Sequence, residues 1–212
     1  GGNSLTRIYL IRHGEVLWNR EHPAYCGHTD LELNERGREQ AGCVAQRLAD
    51  AELSAVYCSD LRRARDTAAA IAARHGLEPV ADPALREVNY GEWEGVSEED
   101  VRAGWPDHYA AWKRDAEKVR IPGGESFGEL RDRLVPALTA IAERHAGENV
   151  AVVAHKSSNR AFLCAVLGLS PSLYRRIGQE NAAVNLITYE DGRWRIDLIN
   201  DTCHLRLPGH SG

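Results

Sequence analysis

Three short apolar runs, each ending abruptly in a polar cluster, constrain this chain more than any other feature of it. They are residues 7–11 (RIYLI), 55–58 (AVYC) and 149–154 (NVAVVA). Runs of this length, apolar throughout, suit strands covered on both faces. Helical periodicity fills the intervals. Ala41, Val44, Ala45 and Leu48 share one face of a predicted helix at 36–51, and Leu61, Ala64, Ala68 and Ile71 one face at 60–74, with Gly76 as its stop. Residues 97–118 read as helix in two pieces, broken around Gly104 and Pro106. A long helix is predicted at 126–145, opened by Ser126 and Glu129 as a capping box, and a shorter one at 159–167. Residues 183–189 and 193–199 flank Glu190, Asp191 and Gly192 as a hairpin.

Strands alternating with helices predict an α/β fold. It would be a three-layer α/β/α arrangement with a mostly parallel central sheet and an antiparallel C-terminal hairpin. No linker divides the chain, so a single domain over 5–207 is expected, with a lid or subdomain in the polar, Trp-rich stretch at about 90–124. Gly1, Gly2, Asn3 and Ser4 read as a trimmed start, and no secretory leader or membrane span is visible. Five scattered cysteines without a Cys-x-x-Cys pair suggest neither a disulfide framework nor structural zinc, so a cytoplasmic setting is expected. The net charge of −5 argues against a nucleic-acid partner.

Each apolar run is followed by chemistry. Arg12, His13, Gly14 and Glu15 follow the first; Ser59 to Arg63 follow the second; His155, Lys156, Ser157, Ser158, Asn159 and Arg160 follow the third. Ligands of open α/β sheets sit at the carboxyl ends of the strands. Parallel strands would therefore gather two imidazoles and several guanidiniums at one edge. Arginine matches phosphate oxygens as a permanently charged fork. A histidine near Arg⁺ is driven towards neutral imidazole, which is a nucleophile. The amides of Gly14 and of the residues after His155 are expected to add anion contacts. The partner implied is a small anion; no nucleic acid and no membrane is expected, and a homodimer is left open.

At these residues the chain resembles the histidine phosphatase superfamily, the phosphoglycerate-mutase-like proteins. Leu10 to Glu15 looks like its signature. Trp18 and Asn19, then Gly27, His28, Thr29 and Asp30, then Leu33 to Gly37 follow in the family's order, and Ser59 to Ala64 is similar to its second block. Leu85 to Gly91 with Trp93, Glu94 and Gly95, then Gly123 to Ser126, and Val152 to His155 complete the set. The resemblance implies His13 as the nucleophile, forming a phosphohistidine. Arg12, Arg63 and His155 would hold phosphoryl oxygens, and Glu87 would be the general acid. Gly14, Asn19, Cys26, Gly27, Tyr90 and Lys156 would lie at the substrate. No metal and no cofactor is implied.

Cys26 stands where the family often has Ser or Thr, and Lys156 where Gly usually follows the second histidine. The short span from Glu87 to Gly123 resembles the phosphatase branch rather than the mutases. The ending Asn200, Asp201, Thr202, Cys203, His204, Leu205 is similar to metal-independent phosphoserine phosphatases. The resemblance thus implies a metal-independent phosphomonoesterase acting on a small carboxylated ester, phosphoserine or a phosphoglycerate or sugar-phosphate derivative. The alternatives are a cofactor-dependent phosphoglycerate mutase and a catalytically silent phospho-ligand binder of the same fold. A metal hydrolase is disfavoured because no His-Glu-x-x-His or Asp-rich ligand run occurs.

Overall fold

A computed structural model describes residues 4–206, so Gly1 to Asn3, read above as a trimmed start, and Leu207, the last residue of the predicted domain, lie outside the described residues. Six strands form one sheet: β1 (Thr6–Arg12), β2 (Leu53–Cys58), β3 (Val80–Ala81), β4 (Asn149–Ala154), β5 (Val184–Glu190) and β6 (Arg193–Asp201). Their order is β3-β2-β4-β1-β5-β6. The first four are parallel; β5 runs antiparallel to β1, and β6 to β5. The helices are α1 (Leu17–Arg20), α2 (Glu35–Arg47), α3 (Arg62–Ala73), α4 (Glu98–Gly104), α5 (Pro106–Arg114), α6 (Phe127–Arg144) and α7 (Lys156–Val166).

The strand period of two divides the sheet into two cores. Ile11, Val56, Cys58, Ala151 and Val153 face α2 and α3, meeting Val44, Ala64, Ala68 and Ile71. Ile8, Leu10, Tyr57, Val150 and Val152 face the other way, onto Leu130, Leu134 and Leu138 of α6 and Phe162 of α7. This is the three-layer, mostly parallel α/β/α arrangement expected. The hairpin turns on Asp191 and Gly192, both at positive φ (50° and 77°), with Glu190 paired to Arg193. Two positive-φ residues are what a type I′ turn requires. No helix among the described residues is long and apolar enough to cross a membrane.

Several boundaries differ from the sequence reading. The two-residue β3 and the one-turn α1 carry too little periodicity to be read. Ser126 does cap α6, its Oγ accepting the Glu129 N–H at 3.1 Å, but the Glu129 carboxylate turns to Arg120 at 2.8 Å, so the reciprocal half of the box is missing. Helix α7 begins at Lys156, three residues earlier than its apolar pattern suggested, because its first turn is polar and partnered from outside. In the stretch 90–124, Trp93, Trp112 and Ile121 are fully buried and join the α6-side core. Its loops are pinned by Glu92 N–H on Pro122 O (2.8 Å) and Glu125 N–H on Asn89 O (2.9 Å). Gly91 there has φ +50°, and a Cβ would collide with the Pro122 carbonyl. Gly91→Ala is expected to lower unfolding free energy by about 1–3 kcal/mol, measured by denaturant titration.

Candidate active site

The parallel register of β1 and β4 sets Arg12 beside Ala154, so His13 and His155 leave the sheet as neighbours. The His13 N–H donates to Ala154 O at 3.1 Å, and the two rings lie edge to face with centroids 5.1 Å apart. Strand β2 ends alongside, Ser59 N–H donating to Val153 O at 3.1 Å, and α3 starts just beyond with Arg63 in its first turn.

His13 Nδ1 lies 2.6 Å from Gly14 O. A carbonyl only accepts, so Nδ1 carries the proton and Nε2 keeps its lone pair. Burial pushes the His13 pKa well below the ordinary histidine value, with Arg63 and Arg12 adding to it. His155 is lowered for the same reasons, burial first and Arg63 next. Among the described residues neither ring nitrogen of His155 has a hydrogen-bond partner, nor does Arg12 Nε. Buried polar atoms seldom stay unpartnered, since each costs about 1–3 kcal/mol. Arg12 and His13 line the cavity, and His155 and Arg63 stand buried directly behind His13, so an anion bound there would meet this set of unsatisfied donors. Arg12 is otherwise held by Nη1 donating to Gln179 O at 2.7 Å. Its pKa is depressed by burial to about 10, so it stays cationic at neutral pH.

Arg63 is completely buried and has no carboxylate partner among the described residues. Its Nη1 and Nη2 donate to Thr29 O (2.8 Å) and Gly27 O (2.6 Å), and its Nε to His13 Nε2 (3.3 Å). The loop that supplies those carbonyls is itself held. Glu94 Oε1 accepts the Gly27 and Thr29 N–H groups at 2.7 and 2.8 Å, and Asp30 accepts Arg62 N–H at the start of α3.

Glu87 is 4% exposed and sits on the N-terminus of α7. Its Oε2 accepts Ser157 N–H at 2.9 Å, and its Oε1 accepts Ser158 and Val88 N–H, both at 2.9 Å. Burial raises its pKa, and the amides only partly offset that. Arg133 clamps the loop behind it, donating to Ala84 O, Arg86 O and Glu87 O at 2.7–2.8 Å while pairing with Glu125 at 2.8 Å. Glu125 in turn accepts Asn89 N–H at 2.9 Å.

The family model of the histidine phosphatase superfamily (branch 1) matches residues 8–202. The chain belongs to that superfamily. It is 35% identical over 201 residues to phosphoserine phosphatase 1 of Hydrogenobacter thermophilus, covering 95% of each chain. It is 38% identical over 214 residues to phosphoglycerate mutase-like protein 4 of Arabidopsis thaliana, covering 95% of this chain and 88% of that one. Among solved structures it is similar to a mycobacterial glucosyl-3-phosphoglycerate phosphatase, with TM-score 0.83, 30% identity, and coverage of 93% of this chain and 100% of that one. By family the chain is a phosphatase.

In this histidine phosphatase a cavity of about 300 Å³ is lined by Arg12, His13, Asn19, Cys26, Glu87, Tyr90 and Lys156 from the predicted set. Asn19 Oδ1 is occupied by Val16 N–H and Asn181 Nδ2, which leaves its amide nitrogen to donate. The Cys26 thiol stays protonated, burial raising its pKa to about 11. The Tyr90 hydroxyl lies 3.2 Å from Ser157 Oγ. Three expectations are corrected. Gly14 offers no amide to a ligand, because its N–H donates to Thr67 Oγ1 at 3.1 Å; glycine is required there because a Cβ would strike the Gly37 backbone. Gly27 shapes the Arg63 cradle through its carbonyl, and its N–H is spent on Glu94. The amides after His155 hold Glu87 rather than an external anion. Among the described residues no group of three or more His, Cys, Asp and Glu could hold a metal ion. His204, in the tail, bonds Ala182 O at 2.8 Å and Arg47 at 2.8 Å.

Sequence reasoning missed Tyr25, Tyr174 and Arg175 on the cavity wall, and Arg133 behind Glu87; Arg160, named in the cluster after the third strand but given no role, lines the cavity too. The polar Ser157-Ser158 pair was the available signal for an earlier start of α7. Nothing local marks Arg133, whose partners lie more than forty positions away apart from Glu125.

Two outcomes are expected. Arg133→Leu strands three carbonyls and the Glu125 carboxylate; it should cost about 1–3 kcal/mol in denaturant unfolding and lower kcat more than it raises KM. In nitrogen-detected NMR titrations of the ligand-free protein, His13 and His155 should stay neutral at pH 6.5 and protonate only below it.

Proposed function

We propose that this histidine phosphatase is a metal-independent phosphomonoesterase that works through a phosphohistidine on a small carboxylated phosphate ester, in the class of phosphoserine or a phosphoglycerate or sugar-phosphate derivative. The observation that carries the reading is the Nδ1–H bond of His13 to Gly14 O, which leaves Nε2 as the neutral, lone-pair nitrogen, in contact with Arg63 Nε at 3.3 Å and on a ring edge to face with His155. His13 Nε2 attacks phosphorus. The ester P–O bond breaks, and the leaving oxygen takes the proton of Glu87. Arg12, Arg63 Nε and His155 face the phosphoryl oxygens as charge shifts onto them, so positioning and electrostatics supply the catalysis. The Gly14 carbonyl stabilises the positive ring that results. Water then gives a proton to the Glu87 carboxylate and attacks phosphorus. The N–P bond breaks, and inorganic phosphate leaves with neutral His13 and protonated Glu87 restored.

Glu87 suits both halves of this cycle. Burial favours its acid form, and the Ser157 and Ser158 amides stabilise the carboxylate left after proton transfer. The roughly 300 Å³ cavity matches a metabolite-sized ester, and Lys156 on its wall supplies charge for a carboxylate.

Hydrolysis should persist in EDTA and vanish in His13→Ala, with a phosphohistidine trapped in the active enzyme by rapid acid quench. The rate of that phosphorylation should fall as pH rises through the raised Glu87 pKa, because the deprotonated form has no proton to give. Glu87→Gln should slow it by about 10²–10⁴-fold for an alkyl ester and less for p-nitrophenyl phosphate, whose leaving group needs little protonation. An unchanged burst in the Gln variant, or loss of activity in EDTA, would sink the mechanism.

A further inference from the structure

The cavity holds more positive charge than one phosphoryl group calls for. A phosphate monoester carries at most two negative charges, and Arg12 and Arg63 match them at the phosphoryl end. Lys156 and Arg160 also line the cavity, and neither has an ion pair among the described residues. Elsewhere in the molecule the half-buried arginines find carboxylates: Arg47 with Asp201, Arg86 with Asp60, Arg131 with Glu117, Arg133 with Glu125. The Nε of Arg160 is buried without a hydrogen-bond partner among the described residues. Lys156 and Arg160 stand four residues apart on α7, one turn on the same face, where like charges destabilise a helix.

We infer that Lys156 and Arg160 form a second-anion subsite that takes a carboxylate on the leaving-group side of the phosphate ester. This rests on the phosphatase reading for the placement of the phosphoryl group at His13, and it deepens that reading by assigning the residues that select the leaving group. Helix α7 then serves both ends of the substrate. His155 and the Glu87-bearing amides stand at its first turn, beside the reacting phosphorus. Lys156 and Arg160 follow along one face of the helix, from exposed Lys156 to half-buried Arg160, and share the cavity wall with Tyr174 and with Arg175, which stacks on Tyr174 and Trp112 at 4.7 and 4.8 Å. Arg160 is half-buried, and Lys156 is exposed at the cavity wall, where partial desolvation and the neighbouring Arg12 and Arg160 lower its pKa to about 8. The acid outside the catalytic set that acts on Lys156, Glu180, is exposed and forms no ion pair with it among the described residues.

Binding separates this subsite from the chemistry. Dissociation constants are measured by calorimetry for 3-phosphoglycerate and for glycerol 3-phosphate, which keeps the phosphate and lacks the carboxylate. The wild-type protein should bind the carboxylated ligand about 10–100-fold more tightly, the range of a charge-assisted hydrogen-bonded pair. Arg160→Gln and Lys156→Gln should each shrink that ratio at least several-fold, and Arg160→Lys should restore part of it. Equal binding of the two ligands by the wild type, or an equal loss for both in Arg160→Gln, would overturn the subsite. A propanediol bisphosphate that binds as tightly as 3-phosphoglycerate would overturn it in favour of a second phosphate. Loss of the trapped phosphohistidine, with the binding ratio intact, would instead count against the proposed reaction alone.

Discussion

A guanidinium with no exposure and no carboxylate partner is the constraint on which the site depends. Arg63 satisfies its outer N–H groups with two backbone carbonyls, from Gly27 and Thr29, so the loop that carries them must curl around it. That loop needs glycine where Val88 and Tyr90 approach, and it needs Glu94 to collect its inward-facing amides. A carbonyl cradle leaves the positive charge formally uncompensated. It acts on His13, where it reinforces burial in keeping the ring neutral, and it stands ready for an anion.

A second tension governs Glu87. A carboxyl group in so dry a place favours its neutral form, whereas two amides at a helix start favour its charged form. Burial is the stronger influence and the pKa is raised, while the amides hold the carboxyl group in one orientation. Arg133, Glu125 and the close-packed glycines 91 and 124 hold that balance in place by tying the loop at 84–90 to α6 and to the turn before it. The Trp-rich stretch at 90–124 belongs to this support, since Trp93 and Trp112 fill the core on which the loop rests.

Most of the fold was legible because its elements bury apolar residues with strong local periods. The run at 149–154 could only be a covered strand, and α6 announces itself with Leu130, Leu134 and Leu138 on one stripe. Strand β3 was not legible, because it is two exposed residues held by the edge of β2. The start of α7 was misplaced for a related reason. Its first turn is stabilised by Glu87, seventy positions away, and not by any apolar pattern of its own. Gly14 was read as an anion contact since its neighbours carry chemistry, yet its amide is taken by Thr67 across the fold.

The sequence by itself determined the α/β alternation and the polar ends of the three parallel strands, and with them the meeting of His13, His155 and the arginines at one sheet edge. These follow from hydrophobic period and strand direction, which are local properties of the chain. Only the tertiary structure decided which nitrogen of His13 keeps its lone pair, which amides Glu87 occupies, and which cations have no ion pair among the described residues of the cavity. Hydrogen bonds and desolvation are set by whatever the fold brings within about 3 Å, and a residue such as Arg133 acquires its role from partners that no local pattern names.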